Sequence, residues 1–434
     1  MSDAPPTQPD ERVRAPRWTR WIPRTPGMPE LPPRQWKLLG LLGAAEFADH
    51  YDIALFTMLL VQIQSGLGIA EDEIGVISAV IRLGVVLAVI AGLFADRFGR
   101  RRVLLVTVVG YTLTTFLTAF ARSSVEFAAL QLLGRGFLYA ETAVAIVVVT
   151  EELAARDRGF GLGLLGALGA MGHGAASIAL SFVEEIPYGW RALYAIGALP
   201  LLALAWLRRE LPETTRFQAA HAEAAPWWQP FRSLWRAYPG RLAALVSLVA
   251  SIEFAIASAV YFMVKALQET HGWARSEVTV LYVAGGALAV LGNQFAGQLS
   301  DRIGRRPLLM ALLIVLGVGF GGFYWGSGPL VGAFWIAQVF ALQGATVLAR
   351  ALGSELFPTS YRSTASSIRM LAGTIGGSLG LLLESALYGA LGSHAAAITA
   401  LLPGLAVGVA IVAFAIPETA GRELEEVSPE RDAS

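Results

Sequence analysis

The chain has no cysteine, which excludes disulfide bonds, thiol catalysis and thiolate metal sites but leaves the cellular compartment open. It also lacks the HExxH, CxxC and phosphate-loop strings of common hydrolases, redox enzymes and nucleotide-binding enzymes. Its first residues, MSDAPPTQPDERVRAPR, show neither the short apolar core nor the small-residue cleavage site of a secretory signal. We therefore expect no enzyme, no cofactor and no bound metal.

Charge is also scarce, because 55% of the 434 residues are apolar and only 15% are charged. This is more apolar than the surface of a soluble protein tolerates. A bilayer core about 30 Å thick needs about 20 apolar residues per helix, and the sequence contains twelve such runs. It predicts an all-α integral membrane protein whose helices 1 to 12 cover residues 38–64, 73–95, 103–121, 126–150, 159–183, 189–207, 242–268, 275–298, 308–326, 329–353, 364–388 and 395–416.

One basic turn occurs twice, as GLFADRFGRRR from Gly92 to Arg102 and as GQLSDRIGRRP from Gly297 to Pro307, 205 positions apart. Other landmarks repeat at an offset of 205 or 204: LPET at 211 with IPET at 416, Glu151 with Glu355, and Arg158 with Arg362. Landmarks that recur in the same order indicate a duplicated half. The twelve helices should therefore form two pseudo-symmetric six-helix bundles.

The duplication and the polar segments divide the chain into five parts. Residues 1–36 are rich in proline and arginine, and we predict that they form a disordered cytosolic tail. A six-helix bundle follows over 37–208, then an interdomain loop over 209–240, a second bundle over 241–417 and a cytosolic tail over 418–434. The loop contains WWQPFRSLWRAYPGR, whose tryptophans and arginines indicate a helix lying on the membrane surface.

The basic residues lie mostly on one side of the predicted membrane. Of the 33 arginines and lysines, five lie within helices and three lie in loops on one side, namely Arg122, Arg191 and Arg275. The other 25 share the side of the amino terminus, so the positive-inside rule places both termini in the cytosol. The net charge of zero hides this bias and indicates no nucleic-acid partner. We expect a multi-pass plasma-membrane protein, and the scarcity of lysine beside abundant arginine and alanine suggests a bacterial inner membrane.

Charged side chains inside the helices follow a period of three helices. Helices 3, 6, 9 and 12 carry no Asp, Glu, Lys or Arg in their interiors, and we expect them to face lipid. Helices 1, 4, 7 and 10 should line a water-accessible path, because they carry Glu46, Asp49, Asp52, Arg135, Glu141, Glu253, Lys265 and Arg350. Inverted three-helix repeats around a central site would produce this period.

Depth in the membrane separates the charged residues into two groups. Those near a helix end can extend to the interface and serve as anchors: Lys265, Arg350, Arg369 and Glu384. The deeper group is predicted to act in the function of the protein: Glu46, Asp49, Asp52, Arg82, Arg135, Glu141, His173 and Glu253. At about 100° per residue, the acidic side chains of helix 1 spread over an arc of roughly 160°, so they must meet different neighbours.

The deep group holds five carboxylates but only two guanidinium groups. Since burial without a partner favours the protonated form of a carboxyl group, at least one of them should carry a proton during part of a cycle. A carboxylate that alternates between a proton and an arginine can couple a proton gradient to movement. The alternative is a static ion pair between Asp52 and Arg135 that joins two helices.

Several strings outside the two tails match motifs of known proteins. The turn GLFADRFGRRR and its copy GQLSDRIGRRP have the pattern G-x-x-x-D-R-x-G-R-R of the major facilitator superfamily, which the chain resembles over its whole length apart from the tails. LLGRGF, EELAARDRG, SELFPTSYRS and PETAGRELEE are similar to strings of sugar porters. DHYDIALF in helix 1 resembles the D-G-[FY]-D pattern of aromatic acid:proton symporters and their metabolite-transporting relatives.

The resemblance implies a cytosolic gate at the repeated turn. In the first half it would consist of Asp96, Arg97, Gly99, Arg100 and Arg101. Its partner would consist of Asp301, Arg302, Gly304, Arg305 and Arg306, and the repeated landmarks beside it are Glu151, Arg158, Glu355 and Arg362. An aspartate at a helix end can pair with arginine and with nearby helix termini, while glycine permits the tight turn. The alternative is that these residues only set the topology.

Similarity to sugar porters assigns proton coupling to Asp52 and Arg135, and similarity to aromatic acid symporters adds Asp49. The neighbouring Glu46 is a further candidate. A hexose substrate is disfavoured, because helix 7 lacks the paired glutamines of sugar porters and helix 5 reads GAMGHGAAS where they have a glutamine. Helix 5 also lacks the Gly-Pro step of many drug exporters, which weakens an export role.

Polar and aromatic groups on the inner helices are the candidates for substrate contact, because small-molecule sites combine aromatic walls with a few hydrogen-bonding groups. These candidates are Arg82, Tyr139, Glu141, His173, Glu253, Tyr261, Trp335, Gln338 and Gln343. An aromatic residue at helical spacing is more often a packing residue. His173 has the better case, since an imidazole among glycines titrates near neutrality, although a packing role is as plausible.

The leading prediction is a monomeric, proton-coupled secondary transporter for a small organic metabolite with a carboxylate group, working by alternating access. Arg82 and Arg135 would attract the anion, and Asp49 or Asp52 would carry the proton. The excess of carboxylates over guanidinium groups in the deep group equally suits an organic cation or drug transporter. A receptor or scaffold that kept the fold without transport is a third reading, although two intact gate motifs argue against it. The predicted partners are the small molecule, the proton and the lipid bilayer.

Overall fold

A computed structural model describes residues 29, 31–88, 100–154, 157–207 and 229–420, and all regular elements in these ranges are helices. Each of the twelve predicted helices is present, and helix 2 is described as far as residue 88. Their bounds are Pro33–Met58 with Leu60–Leu67 (helix 1), Ile74–Arg82 with residues 84–88 (helix 2), Arg100–Thr118 (3), Ser124–Glu152 (4), Arg158–Ser181 (5), Trp190–Leu207 (6), Pro239–Tyr261 with Met263–Lys265 and a π-turn Ala266–Thr270 (7), Arg275–Ile303 (8), Arg305–Trp325 (9), Pro329–Glu355 (10), Arg362–Leu391 (11), and His394–Leu401 with Gly404–Ala415 (12). Eight of the described helices, numbers 4 to 7 and 9 to 12, are long and apolar enough to cross a bilayer by themselves.

A short helix, Gln229–Ala237, precedes helix 7 in the predicted surface segment. Leu234 is fully buried against the core, whereas Trp235 is exposed. One buried and one exposed side suit a helix lying along the membrane surface. Most of the predicted interdomain loop (208–228) and the ends of both tails (1–28 and 421–434) lie outside the described residues.

Local sequence explains where several helices begin. Prolines occupy the first turn of helices 1, 7 and 10, where a missing N–H costs nothing. Helix 1 therefore starts at Pro33, ahead of the predicted residue 38. Ser123 and Ser393 cap helices 4 and 12 by accepting hydrogen bonds from backbone N–H groups of the first turn.

Glycines bring matching helix pairs of the two halves into backbone contact. A Cβ at Gly172 of helix 5 would lie 2.0 Å from the carbonyl oxygen of Phe47 in helix 1. A Cβ at Gly376 of helix 11 would lie 2.3 Å from the carbonyl oxygen of Ala250 in helix 7. The two glycines are 204 positions apart, so both halves use the same close contact, which small residues allow between membrane helices. Gly376 also opens the string GGSLG, which has the GxSxG spacing of hydrolase nucleophiles but lies inside a helix rather than at a strand–helix turn.

Helices 3, 6, 9 and 12 lie at the periphery, as their lack of charge predicts. Each exposes large apolar side chains on one side: Val106, Trp206, Val318 and Phe414. The other side of helix 3 is buried and carries hydroxyl groups: Thr107, Tyr111, Thr112 and Thr115. The prediction that helix 3 faces lipid is therefore incomplete, because this second side faces the protein interior.

The molecule has two ends, which we name by the residues they carry. The terminal face carries Pro33 and Arg305, which begin helices 1 and 9, and the distal face carries Glu71, Arg275 and His394. At the distal face, polar contacts join the first half (33–207) to the second half (239–416): Gln62 to Gln268 at 3.1 Å, Glu71 to Lys265 at 3.2 Å, and Glu184 to Arg275. The two halves are therefore closed together on the distal side.

Candidate functional site

Asp52 of helix 1 faces an arginine of helix 4 in the buried centre of the first half. Its Oδ2 lies 3.7 Å from Nη1 of Arg135, and both side chains are almost completely buried. Its Oδ1 accepts a hydrogen bond from Oγ1 of Thr115 in helix 3 at 3.4 Å. The ionic contact is longer than a tight charge-assisted hydrogen bond of about 2.8 Å. Asp52 and Arg135 are thus coupled electrostatically without being fixed in one bridge.

Asp49 and Glu141 are buried in the same half. Oδ2 of Asp49 accepts a hydrogen bond from Oγ1 of Thr142 in helix 4 at 3.4 Å. Tyr111 of helix 3 donates its hydroxyl to a backbone carbonyl of helix 1 at 3.2 Å and interacts electrostatically with Asp52, Asp49 and Glu141. Sequence reasoning missed Tyr111 and Thr142. The available signal was the run of hydroxyl residues in helix 3.

Glu46 pairs with His50 one turn further along helix 1. Nδ1 of His50 lies 2.9 Å from the carbonyl oxygen and 3.5 Å from Oε2 of Glu46. The imidazole packs against Gly169 of helix 5, where a Cβ would lie 2.7 Å from Nδ1. The three carboxylates of helix 1 therefore meet different neighbours, as their spread around the helix predicts.

An arginine and a glutamate from opposite halves form an ion pair near the middle of the helices. Arg82 of helix 2 binds Glu253 of helix 7 and also donates a hydrogen bond to the carbonyl oxygen of Gly373 in helix 11 at 3.2 Å. Helix 11 makes room for the guanidinium group, because a Cβ at Gly377 would lie 2.6 Å from its Cζ. The side chains of Arg82 and Glu253 are 19% and 33% exposed, so a ligand can reach them. Sequence reasoning named both residues but did not pair them.

Two tyrosines lie within electrostatic range of this ion pair. Tyr139 of helix 4 and Tyr261 of helix 7 interact electrostatically with both Arg82 and Arg135. Each is only partly buried, and Tyr261 packs edge-on against Phe56 with ring centroids 6.0 Å apart. Aromatic rings beside guanidinium groups combine an apolar wall with positive charge. This combination suits a flat organic anion.

A line of aromatic rings crosses from one half to the other. His173 of helix 5 stacks on Tyr282 of helix 8 with centroids 6.4 Å apart and an interplanar angle of 18°. Tyr282 in turn meets Trp335 of helix 10 at 5.2 Å. The indole of Trp335 lies over Gly285, where a Cβ would be 2.0 Å from the ring. Tyr282 was not a sequence candidate, because an aromatic residue in an apolar helix is usually a packing residue.

The two candidate glutamines of helix 10 have different surroundings. Gln338 is fully buried, directs its Nε2 to the sulfur of Met263 at 3.6 Å and packs against Gly319 of helix 9. Gln343 is partly buried. Gln338 thus lies in the packed interior of the second half, which makes it a weaker candidate for substrate contact than Arg82.

The basic turn of the second half joins helices 8, 9 and 10 at the terminal face. Arg305 forms an ion pair with Asp301 and directs a second nitrogen to Oε1 of Glu355 at 3.2 Å. Gly304 has a φ of 102°, a conformation that favours glycine. A Cβ at Gly304 would lie 2.7 Å from Oε2 of Glu418. This half therefore has the aspartate–arginine pair and the glycine turn that the motif predicts.

Glu418 ties the end of the described chain to the same turn. Its carboxylate accepts hydrogen bonds from the backbone N–H groups of Arg305 at 2.8 Å and Arg306 at 3.1 Å. Partial burial disfavours the charged form, but the hydrogen bonds from the N–H groups of Ala420, Arg305, Arg306 and Thr419 outweigh this effect and lower the pKa of Glu418. Arg306 donates its own Nε to the carbonyl oxygen of Val412 at 3.1 Å.

The arginines that follow helices 4 and 10 make the same contact in both halves. Nε of Arg158 donates to the carbonyl oxygen of Leu153, and Nε of Arg362 donates to that of Phe357, both at 3.3 Å. Both arginines therefore stabilise the turn before their own helix. The other predicted gate residues with described side chains are the partly buried Glu151 and the exposed Arg302. Asp96, Arg97 and Gly99 lie outside the described residues, as do the side chains of Arg100 and Arg101, so their role stays a prediction.

Lys265 and Glu384 are not interface anchors, contrary to the sequence-based prediction. Both are almost completely buried near the distal face. Lys265 binds Glu71 at 3.2 Å, and Glu384 binds His394 at 2.7 Å. Burial of these groups is tolerated because each has a polar partner within hydrogen-bond distance. The two other predicted anchors keep partly or fully exposed side chains: Arg369 and Arg350.

Comparison with known proteins places this arrangement among transporters. A sequence model of the Major Facilitator Superfamily matches residues 42–263 and 244–432. A Bacillus subtilis protein named for niacin and nicotinamide transport is 28% identical over 404 residues, which cover 91% of this chain and 99% of that protein. The gallate transporter of Pseudomonas putida is 28% identical over 393 residues, which cover 81% of this chain and 85% of that protein.

A solved structure shares the fold. The crystal structure of a D-xylose–proton symporter aligns with a TM-score of 0.73 and 16% sequence identity, and covers 90% of this chain and 99% of that chain. At this identity the likeness concerns the fold alone. It agrees with the twelve helices described above and with the predicted arrangement in two six-helix bundles.

Proposed function

The chain belongs to the Major Facilitator Superfamily and is a multi-pass membrane transporter, and from this premise we propose that it moves a small organic carboxylate together with a proton. The observation that carries the proposal is the position of Arg82, whose guanidinium group binds Glu253 of the other half. A substrate carboxylate can replace the Glu253 carboxylate there, because both present the same planar pair of acceptor oxygens. Binding would then break a contact between the halves and couple occupancy to their movement.

The surroundings of Arg82 favour an aromatic acid. Tyr139 and Tyr261 interact electrostatically with it, and His173 with Tyr282 forms a further aromatic surface. Such rings provide faces for stacking and hydroxyl groups for hydrogen bonds. Niacin and gallate, for which the two relatives are named, are both aromatic carboxylic acids. The proposed substrate class is therefore a flat monocarboxylate of about this size.

Asp52 is proposed to carry the coupled proton. It lies 3.7 Å from Arg135 in a buried environment, so protonation of Asp52 would release the arginine and deprotonation would restore the pair. The neighbouring Asp49 and Glu46 are also buried and add negative charge, which favours protonation of at least one member of the group. Asp49 and Glu46 are the next candidates for the same role.

We propose that the terminal face is cytosolic and the distal face is extracytoplasmic. The sequence predicts that 25 of the 33 basic residues share the side of the amino terminus, as the positive-inside rule requires for a cytosolic face. Rocking of the two halves would open the distal face and close the terminal face, where the repeated basic turns form the gate. The protein would act as a monomer in the plasma membrane, which is the inner membrane in a bacterium.

An organic cation transporter is the second candidate. It is favoured by one observation, the excess of buried carboxylates: Glu46, Asp49, Asp52 and Glu141. In that case a substrate cation would take the place of the proton beside one of these side chains. The cation should then compete with the proton, and carboxylates should not inhibit its transport.

Uptake and exchange in proteoliposomes test the proposal. Labelled nicotinate or gallate should exchange across the membrane in wild-type vesicles and should accumulate only under an inward proton gradient. Asp52→Asn should keep exchange and lose accumulation, because its side chain can no longer release a proton. Glu185→Gln changes an exposed carboxylate at the distal face and should keep both activities.

Two results would contradict the proposal. Gradient-driven accumulation in Asp52→Asn at the wild-type level would remove the coupling role of Asp52. Inhibition by organic cations but not by carboxylates would favour the second candidate over the first.

A further inference from the structure

A histidine at the distal face contacts carboxylates from both halves. Nδ1 of His394, the first residue of helix 12, lies 2.7 Å from Oε1 of Glu384 in helix 11. Its Nε2 lies 2.9 Å from Oε2 of Glu71, in the loop between helices 1 and 2 of the first half. Tyr388 stacks on the imidazole at 4.1 Å, and Phe262 packs on it at 4.5 Å. The ring is therefore held with one carboxyl group at each nitrogen.

Both contacts can be hydrogen bonds only if each has a proton between its two atoms. A neutral histidine and two ionised carboxylates contain one proton too few for this. A neutral imidazole donates from one nitrogen and accepts at the other, whereas an ionised carboxylate only accepts. Without the additional proton, a lone pair of His394 would face an oxygen of Glu71 or Glu384. The closed arrangement is therefore complete only when the ring or one carboxyl group carries that proton.

The burial of Glu384 supports this requirement independently. Its side chain is fully buried, and its Oε2 has no hydrogen-bond partner among the described residues. Helix 2 of the other half covers this oxygen, since a Cβ at Gly75 would lie 2.9 Å from it. An ionised carboxylate with an unsatisfied oxygen is costly to bury, so the closed distal face favours a proton here.

The neighbouring charged groups do not supply the missing proton. Nζ of Lys265 is already shared among Glu71 at 3.2 Å, Glu269 at 2.6 Å and Gln64 at 2.7 Å. Other titratable side chains on the adjacent segments include Asp72, Glu73, His271, Tyr324 and Tyr388. Tyr324 donates its hydroxyl to the carbonyl oxygen of Ala259 at 2.6 Å.

The additional proton belongs to His394 and Glu384 rather than to Glu71. Partial burial disfavours the charged form of Glu71, but hydrogen bonds with His394, Gln64 and Lys265 outweigh this effect and lower its pKa. A positive charge on His394 is opposed by its position at the start of helix 12, where the helix dipole is positive. The proton is therefore shared between His394 and Glu384, whose Nδ1 and Oε1 lie 2.7 Å apart.

We propose that Glu71, His394 and Glu384 form a second proton-binding site, distinct from Asp52, which takes up one proton when the distal face closes. When the halves separate on that side, Glu71 leaves His394 and the need for a second donor disappears. The proton then returns to the distal solution. The inference rests on the proposed transport function only in that the halves separate at this face, and it requires no substrate.

Thiol accessibility in the substrate-free protein tests this site. Ser378 of helix 11 is buried and donates a hydrogen bond to the carbonyl oxygen of Ala79 in helix 2 at 3.3 Å, and the native chain has no cysteine. In Ser378→Cys, a membrane-impermeant methanethiosulfonate should reach the thiol from the distal side only when that face opens. The exposed Val125→Cys corrects for the effect of pH on thiol reactivity. The measured quantity is the ratio of the two labelling rates in right-side-out vesicles, across about pH 5 to 8.

The ratio should rise with pH, by at most about tenfold per pH unit for one proton. Glu384→Gln and Glu71→Gln each replace the additional proton by an amide N–H donor, so the ratio should stay low and independent of pH in both. Glu71 lies in a loop near the surface, so its variant tests the site even if Glu384→Gln does not fold. His271→Asn, which removes another distal histidine, should keep the wild-type dependence.

Two outcomes would overturn the inference. The first is a labelling ratio that does not change with pH in the Ser378→Cys protein. The same conclusion would follow if the ratio kept its full pH dependence in both Glu384→Gln and Glu71→Gln. The other involves Asp52→Asn, in which the pH dependence should persist. If Asp52→Asn abolished it and Glu71→Gln kept it, the proton would belong to Asp52, and the proposed transport function would stand without a second site.

Discussion

Replacing Glu253 by glutamine should strengthen the binding of a carboxylate substrate and slow its transport. In the structure, Glu253 binds the guanidinium group of Arg82. The carboxylate of the substrate needs the same group. Glu253→Gln keeps the size of the side chain but removes its charge. The substrate carboxylate then meets an arginine without an anionic competitor, while the contact that couples the two halves is weakened.

The size of the effect follows from the burial of the ion pair. Removing one partner of a buried, hydrogen-bonded charge pair costs about 2–5 kcal/mol. Glu253 is 33% exposed, so solvent screening reduces its competition with the substrate to roughly 1–2 kcal/mol. At about 1.4 kcal/mol per factor of ten, the substrate Kd should fall about 5- to 30-fold.

Calorimetric titration of the purified transporter with nicotinate or gallate measures this change. Arg82→Gln should abolish measurable binding. Glu184→Gln is the matched control, because it removes a different carboxylate–guanidinium pair between the halves, the one with Arg275 at the distal face. It measures the effect of loosening the halves alone and should leave the affinity near that of the wild type. If Glu253→Gln weakened binding as much as Arg82→Gln, Glu253 would itself hold the substrate and the reasoning would be refuted.

Three further predictions concern stability, measured as the thermal unfolding midpoint in detergent. Gly304→Ala should destabilise the protein by about 1–3 kcal/mol, because Gly304 has a φ of 102° and an added Cβ would collide with Glu418. Gly321→Ala is the control and should not destabilise the protein, because the atom nearest to its added Cβ is 3.9 Å away. Equal unfolding midpoints for the two variants would contradict this prediction. The pKa of Glu418 is lower in the folded protein than its reference value of 4.5. Its carboxylate should therefore stabilise the protein fully when the pH is above 4.5, and this stabilisation should be lost as the pH falls through the pKa of the folded state. The difference in midpoint between wild type and Glu418→Gln should therefore shrink in acid, and a constant difference would exclude the carboxylate as its source. Gly376→Leu should separate helices 7 and 11 and abolish folding, while Gly389→Leu, at an open position, should be tolerated.

The helix count and the two-bundle architecture follow from local information in the sequence. An apolar run long enough to cross a bilayer has few alternatives to a helix, and the repeated basic turn marks the internal duplication. The structure bears this out in detail, since Gly172 and Gly376 occupy equivalent close contacts. The tight turn was also predictable, because a glycine in the basic motif permits it, and Gly304 adopts a positive φ there.

The partnerships between the two halves could not be predicted from the sequence. Arg82 and Glu253 are separated by 171 positions, and helical periodicity gives no information about contacts at such a distance. The surroundings of helix 3 were predicted incompletely for another reason. Four of its threonines donate to carbonyl oxygens of their own helix: Thr107, Thr112, Thr114 and Thr118. An apolar helix therefore tolerates a hydroxyl-bearing side, and the sequence alone does not distinguish that side from a lipid-facing one.

The role of Glu384 was missed because its position near a helix end indicated an anchor. Its partner His394 begins the next helix and gave no periodic signal of its own. Only the folded chain brings both beside Glu71 of the other half, at 2.7 and 2.9 Å from the same imidazole. Charged residues near helix ends are therefore better judged by their neighbours than by their depth.

Proton movement during substrate uptake tests the central claim, symport of a proton with an organic carboxylate, most directly. A binding carboxylate is added to proteoliposomes in weakly buffered medium, and the external pH is recorded, with protein-free liposomes as the control for passive diffusion of the undissociated acid. Symport predicts a transient alkalinisation that begins with substrate uptake, and that disappears in Asp52→Asn while substrate exchange continues. Uptake without any change in external pH, or an equal alkalinisation in Asp52→Asn, would contradict the proposed coupling.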